Sequence, residues 1–283
     1  MLAAEWVDQV LFDSQLMKGY WYIHSIFQKS FNIQDQQKKY LVTITAQETK
    51  IPKGIKVAEK DFLILKNEIW PEMPLLIQQR LIIFPQHQLS FQSAQSYSTK
   101  WAAQSATFDP KLFFLLISKV NKETGYQEKV NAALSSQHQF CQAIDQVCQD
   151  SFSQQQIGLN FLLGRGLGLT PSGDDMLVGH FLARLLMKAE DQRLVRYLQH
   201  KLETVPDLTT DVSLHYLKNA LQGSFSQLPL AVSQCQEEAK SYRAIQEILK
   251  TGHTSGADFL AGFARSIYRF QQNRNEGSLW QSG

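Results

Sequence analysis

Between Gly164 and Lys188 the chain reads GRGLGLTPSGDDMLVGHFLARLLMK. Glycines stand at 164, 166 and 168, Thr170-Pro171-Ser172-Gly173 follows, and two acids, Asp174 and Asp175, precede an apolar helical run through Leu186. Glycine permits tight turns and close backbone approach. Ser172 with Asp175 three residues on has the spacing of a capping box, in which each side chain takes a free N–H. The free N–H groups and positive dipole end of such a helix favour an anion. Ordinary capping accounts for one Ser and one Asp. It does not account for three alternating glycines or for a second acid. The segment is therefore read as a loop that holds a phosphate or a carboxylate, with ligand contacts from Gly166, Gly168, Thr170, Ser172, Gly173 and Asp175.

Two familiar phosphate loops are excluded. Gly168 and Gly173 have P-loop spacing, but Asp174 and Asp175 replace the Lys and the Ser or Thr. A Rossmann fingerprint needs G-x-G-x-x-G after a buried strand, and this segment has neither. The serine run and following alanine of the glycine–serine loop in galactokinase-type kinases are also missing.

The motif has an echo. Ser172-Gly173-Asp174-Asp175-Met176-Leu177-Val178-Gly179 aligns with Ser255-Gly256-Ala257-Asp258-Phe259-Leu260-Ala261-Gly262, an offset of 83 residues. Each shared mid-helix glycine costs about 1 kcal/mol against Ala, tolerable where another backbone comes close. Two helices are expected to cross near Gly179 and Gly262 with their N-termini facing one pocket. Ser255, Gly256 and Asp258 join the ligand set. Asp175 and Asp258, shared by both copies, are assigned to capping. Asp174 has Ala257 as its counterpart, so it is the candidate for ligand contact or proton transfer. Two adjacent acids alone rarely hold a metal, and no metal or cofactor is expected.

The elements that must position these residues follow from the rest of the chain. Its 283 residues, 43% hydrophobic, suit one large or two ordinary domains. A net charge of +2 argues against nonspecific nucleic-acid or membrane binding. The three cysteines, Cys141, Cys148 and Cys235, form no CxxC pair and are read as buried reduced thiols. The seven histidines are scattered, and His24 is read as structural. Glu5 and Asp8 interrupt the first apolar stretch, and no run approaches a membrane span, so a cytoplasmic location is expected.

Residues 2–16 predict an amphipathic helix. Strands are predicted at Tyr20–Phe27, Ile55–Val57, Phe62–Leu65 and Leu81–Phe84, with a hairpin formed by Phe31–Ile33 and Tyr40–Thr45. Residues 86–109 are polar and hold the boundary. Helices are predicted over Leu112–Val120, Val130–Val147, Leu194–Leu202, Leu214–Leu221 (started by Thr209-Thr210-Asp211-Val212-Ser213, whose Thr and Ser are natural caps), Leu228–Cys235, Ala239–Leu249 and Gly256–Phe270, with a frayed tail. The fold class is α+β: a β-rich sandwich or barrel over 1–105, then a mainly helical domain over 106–283 carrying both glycine motifs.

At these motifs the sequence resembles a bacterial family of formerly unknown function. Gly166–Gly179 fits its GxGLTPSGDD segment and Gly252–Gly262 its H-S/T-S-G-x-D segment. Thr210, Ser213 and Ala220–Gly223 fit a helix between them, and His24–Phe27, Asn32 and Pro52 fit the N-terminal part. One branch of that family is the third subunit of oxamate carbamoyltransferase in allantoin breakdown. The resemblance implies interconversion of oxalurate and phosphate with oxamate and carbamoyl phosphate, inside a hetero-oligomer with other subunits. The Ser-Thr-Arg-Thr-Arg phosphate loop of ornithine and aspartate transcarbamoylases is absent. Two alternatives stand: an ATP-dependent small-molecule kinase, or a non-catalytic accessory subunit that docks partner chains.

Overall fold

The computed structural model describes residues 1–13, 16–102, 108–205 and 207–279. The chain divides into two compact units, Met1–Lys100 and Trp101–Gly283. The boundary expected at 105/106 lies outside the described residues.

The first unit is a nine-stranded sheet. It comprises β1 (Leu2–Asp8), β2 (Gly19–Ile26), β3 (Ser30–Asp35), β4 (Leu41–Thr45), β5 (Gly54–Val57), β6 (Pro74–Gln78), β7 (Leu81–Ile83), β8 (Gln88–Ser90) and β9 (Gln95–Tyr97). The order β5-β4-β3-β2-β6-β7-β8-β1 closes through the pairing of β1 with β5, and β9 adds alongside β1. Closure removes the exposed edges of an open sheet. Ile23 faces Ile33 across β2 and β3, and Ile33 faces Val42 across β3 and β4. All three are fully buried or nearly so. The predicted hairpin forms, with Asn32 opposite Thr43.

Two expectations for this unit fail for physical reasons. Residues 2–16 do not form one helix. Leu2–Asp8 is a strand, paired with β5, β8 and β9, and only Gln9–Asp13 (α1) is helical. Asp8 ends the strand: its Oδ2 accepts from the Lys53 amide at 2.8 Å and from Thr99 Oγ1 at 3.1 Å. Phe62–Leu65 is not a strand but part of α2 (Glu59–Asn67). A four-residue apolar run does not fix its period. Here Phe62 and Leu65, three apart, are buried while Leu63 and Ile64 are exposed, as a helix requires. Strands β6, β8 and β9 fall in stretches that carried no strand prediction.

The second unit is helical. It contains α3 (Pro110–Ile117), α4 (Gln139–Val147), α5 (Phe152–Leu162), α6 (Ser172–Leu186), α7 (Gln192–Thr204), α8 (Asp211–Leu221), α9 (Gln227–Val232), α10 (Glu238–Ile248) and α11 (Ser255–Leu279). The stretch expected as one helix over Val130–Val147 is broken into a 3₁₀ turn, Val130–Ala132, and α4. The last helix does not stop at Phe270 but continues to Leu279. α5 was not anticipated, because its glutamine-rich run hides the buried set Gln155, Gly158, Leu159 and Leu162. The three cysteines are free and buried. Among the described residues no helix is long and apolar enough to cross a membrane.

One ion pair anchors this unit. Arg265, 2% exposed, grips Asp145 bidentately, Nε to Oδ1 and Nη2 to Oδ2, each at 2.6 Å. It also donates to the carbonyls of Ala133 and Leu134. Arg269 binds the same carboxylate. Burial works against the charged carboxyl, but hydrogen bonds from Arg269 and Arg265 prevail and hold it below the usual carboxylate range. The stability this pair contributes is present above the unfolded-state value of about 4 and is lost as pH falls through the lower folded value. Asp145→Asn leaves a buried guanidinium uncompensated, which costs about 3–5 kcal/mol. Urea unfolding at neutral pH should show that loss, and the gap between variant and wild type should narrow on acidification below about pH 4.

Candidate functional site

α6 and α11 cross at their glycines. A Cβ on Gly179 would lie 2.4 Å from the Phe259 carbonyl oxygen and 2.8 Å from the Phe263 nitrogen. One on Gly262 would lie 2.3 Å from the Met176 carbonyl oxygen. No side chain fits at either point, so the two backbones touch.

The entry into each helix repeats the same construction. A Cβ on Gly173 would meet the Leu162 carbonyl oxygen at 2.0 Å; one on Gly256 would meet that of Ile248 at 1.8 Å. The Arg165 amide donates to Leu162 O and the Gly173 amide to Arg165 O. The Thr251 amide donates to Ile248 O and the Gly256 amide to Thr251 O in the same way. The pairs α5–α6 and α10–α11 are thus two copies of one joint. The first copy carries three more residues between Arg165 and Gly173 than the second carries between Thr251 and Gly256.

Those extra residues belong to the glycine loop. Gly164, Gly166 and Gly168 all adopt positive φ, at 65°, 128° and 90°. A Cβ on Gly164 would meet the Leu208 carbonyl oxygen at 2.2 Å, and one on Gly166 the Ser172 nitrogen at 2.5 Å, whereas Gly168 faces open space. Among the described residues, the amides of residues 166–170 donate to no protein group. The loop is exposed from Arg165 to Leu169, and Leu167 is 94% exposed.

The capping box does not form. Pro171 occupies the N-cap position of α6, and no side chain caps this end. The shared serines and acids instead reach across to the other helix. The hydroxyls of Ser255 and Thr170 lie beside Asp175, and those of Thr254 and Ser172 lie beside Asp258. Thr170 Oγ1 is 2.6 Å from Ser255 Oγ. The Gly125 amide donates to Asp258 Oδ1 at 2.9 Å. Asp258 is fully buried, Asp175 only partly, yet Oδ2 of each is shut off from solvent and completes no hydrogen bond of ordinary geometry. Burial raises the Asp258 pKa. Burial and then the charge of Asp258 push that of Asp175 well above the usual carboxylate range.

Asp174 has a structural explanation that spacing could not supply. It is 1% exposed. Its Oδ1 accepts from the Gly164 amide at 2.9 Å, and its Oδ2 accepts from Ser213 Oγ at 2.7 Å and from Thr209 Oγ1. It therefore ties the glycine loop to the start of α8, where Thr210, one of the Thr and Ser residues expected to cap, accepts from the Ser213 amide. Burial raises its pKa, with these hydrogen bonds opposing. The contributions of Thr209, Thr254 and Gly125 were not seen in the sequence. Thr209 sits beside the quoted Thr210, and Thr254 fills the S/T position of the second motif; nothing local marks Gly125.

A second buried polar group lies further along the crossing. His180 Nδ1 is 2.9 Å from Ser266 Oγ, and Nε2 is 3.4 Å from Arg184 Nη1. Burial, then the charge of Arg184, drives the His180 pKa well down, so the ring is neutral.

Against known families, the model described as oxamate carbamoyltransferase subunit AllH matches residues 162–267, and that of the AllH family N-terminal domain matches residues 3–97. The chain belongs to the AllH family. The first match opens at Leu162, whose carbonyl the Gly173 backbone contacts, and spans both glycine motifs and the crossing. The second covers the barrel. No solved structure matches the chain.

Two outcomes follow from this geometry. Gly262→Ala forces the Met176 backbone to move and should lower stability by about 1–3 kcal/mol in a denaturant melt. Asp174→Asn cannot accept all three hydrogen bonds. Hydrogen exchange should then show faster exchange at the Gly164 amide, with a lowered Tm.

Proposed function

We propose that the chain is a working subunit of an oxamate-type carbamoyltransferase, interconverting oxalurate and phosphate with oxamate and carbamoyl phosphate in purine breakdown. The observation that carries this reading is the run of amides at residues 166–170, free of protein acceptors, on a loop bent by positive-φ glycines. Successive N–H groups in such a bend form an anion-binding concavity. The starts of α6 and α11, brought together by Thr170 and Ser255, add their positive ends. Membership of a family named for a carbamoyltransferase subunit supports phosphate, carbamoyl phosphate or an oxamate-like carboxylate as the anion.

The residues then divide the work. Backbone amides of Gly166 and Gly168 and the Thr170 hydroxyl bind phosphate oxygens. Asp174, its oxygens already engaged, positions the loop and is not the base. Asp175, partly exposed beside Thr170, is the acid closest in kind to a proton-transfer role. Neighbouring N–H groups stabilise the oxyanion that forms as the carbamoyl carbon is attacked.

A second reading has its own observation. Leu167 and Leu169 are 94% and 50% exposed on the loop, which suits an element that docks a partner subunit. The assembled enzyme distinguishes the two. Thr170→Val should raise KM for phosphate roughly tenfold or more, the loss expected for a hydrogen bond to a charged group. An unchanged KM, with release of the chain from the complex on Leu167→Ser, would favour docking.

A further inference from the structure

Two carboxylate oxygens are enclosed near one helix crossing with only hydroxyls beside them, which leaves a place for a positive partner. A lone ionised carboxylate is costly to bury unless it is paired or coordinates a metal. Asp258 is fully buried, and its Oδ2 is orphaned although Oδ1 takes the Gly125 amide. Asp175 repeats the pattern on the opposite helix: its Oδ2 is enclosed and orphaned.

The surrounding groups are all oxygen donors. Ser172 Oγ, Thr254 Oγ1 and Asp258 Oδ2 converge on the space left by the missing side chain of Gly125. The point where its Cβ would sit lies 2.1, 3.0 and 3.1 Å from them. The hydroxyls of Thr170 and Ser255 stand beside Asp175. Gly125 is itself exposed, so this region opens to solvent. Among the described residues no group of three or more His, Cys, Asp or Glu could hold a metal, so any ion here rests on two carboxylates with hydroxyls and water. An all-oxygen set of carboxylates and hydroxyls selects a hard cation of the magnesium, manganese or calcium type.

With both carboxyls ionised, the local charge favours a cation. Each helix N-terminus contributes roughly half a positive charge. Two such ends leave two carboxylates with an excess of about one negative charge. A divalent cation reverses that sign.

We propose that Asp175 and Asp258 jointly bind one divalent cation at the crossing of α6 and α11, with hydroxyls from Thr170, Ser172, Thr254 and Ser255 around it. The pair differs from the adjacent acids Asp174 and Asp175, which gave no reason to expect a metal. The site shares Thr170 and Asp175 with the proposed phosphate loop, and a bound cation would take Asp175 out of the proton-transfer role; its test reads ion binding and not turnover, so the two readings can fail separately.

The test is titration of the full chain with Mn²⁺, followed by electron paramagnetic resonance of the free ion and by calorimetry. One saturable site is expected, with Mg²⁺ competing for it and raising the Tm. Asp175→Asn should weaken Mn²⁺ binding by roughly 10–100-fold or more, at least the loss seen when a metal ligand's supporting partner is removed. Gly125→Ala keeps both carboxylates but fills the space before Ser172, and should weaken binding while circular dichroism stays unchanged. Asp258→Asn should act like Asp175→Asn. If it unfolds, the other two variants decide. No saturable binding by the wild-type chain would overturn the proposal. So would binding that both Asp175→Asn and Gly125→Ala leave intact. The first result would mean that a shared proton alone compensates the two acids.

Discussion

The contact between the α6 and α11 backbones is the constraint on which the rest of the helical unit depends. It exists because Gly179 and Gly262 present no Cβ where Phe259, Phe263 and Met176 approach. Backbone contact at that point draws the N-terminal ends together, so that Thr170 and Ser255 come within hydrogen-bonding distance. Further along, the same helices bring His180 beside Ser266. Beyond that, Arg265 and Arg269 on α11 reach Asp145 on α4. A glycine crossing at one end and a shared carboxylate farther along fix two points on α11. These two fixed points position the start of α11, and loop contacts from Gly125 to Asp258 and from Thr170 to Ser255 add to them.

The acids at the crossing must be understood together with this frame. In an isolated helix, Ser172 and Asp175 would satisfy their own end. Here the partner helix lies so close that each Ser and Asp turns to the opposite one, and Pro171, which lacks an N–H, takes the cap position. Exchanging local caps for contacts across the crossing couples the two helix starts. It also buries two carboxylates near each other, an arrangement that packing alone does not require. Asp174 escapes that conflict because it faces α8, where Thr209, Ser213 and the Gly164 amide supply the donors.

What the sequence revealed and what it concealed have distinct causes. The echo between residues 172–179 and 255–262 placed the crossing because mid-helix glycines carry a penalty that only close approach offsets. The aromatic and β-branched runs placed β2, β3, β4 and β5, because that composition, bounded by polar turns, is a local signal. Leu2–Asp8 and Phe62–Leu65 were misread because short apolar runs do not fix their own period. Whether such a run pairs with a strand is decided by residues far away in the chain, as Ala4 opposite Val57 illustrates. The meeting of the two helix starts was legible in the sequence, but the hydrogen-bond partners of their acids were not. Spacing suggested that Asp175 caps and Asp174 is free; the donors that reverse this, Thr209 and Ser213, lie more than thirty residues downstream.

The asymmetry of the duplicated joint is where function enters a symmetric frame. Both copies need the glycine that touches the preceding helix, the serine and acid that face the crossing, and the glycine at the crossing itself. These are the features the two share. The first copy alone has three added residues, three glycines with positive φ and Asp174 to hold the loop down. A loop serving only to connect α5 to α6 has no use for them, since the second copy makes the same connection without them. Lengthening the connection frees a run of amides, and Asp174 then restrains a segment that would otherwise lose that geometry. The restraint acts at the base of the loop, on Gly164, and leaves Gly168 in open space. Rigidity at the base with exposed amides at the tip is the arrangement a ligand-binding loop needs; the shorter Thr251–Gly256 connection also leaves amides without protein acceptors, but among the described residues it has no acid in the place of Asp174 to hold its base.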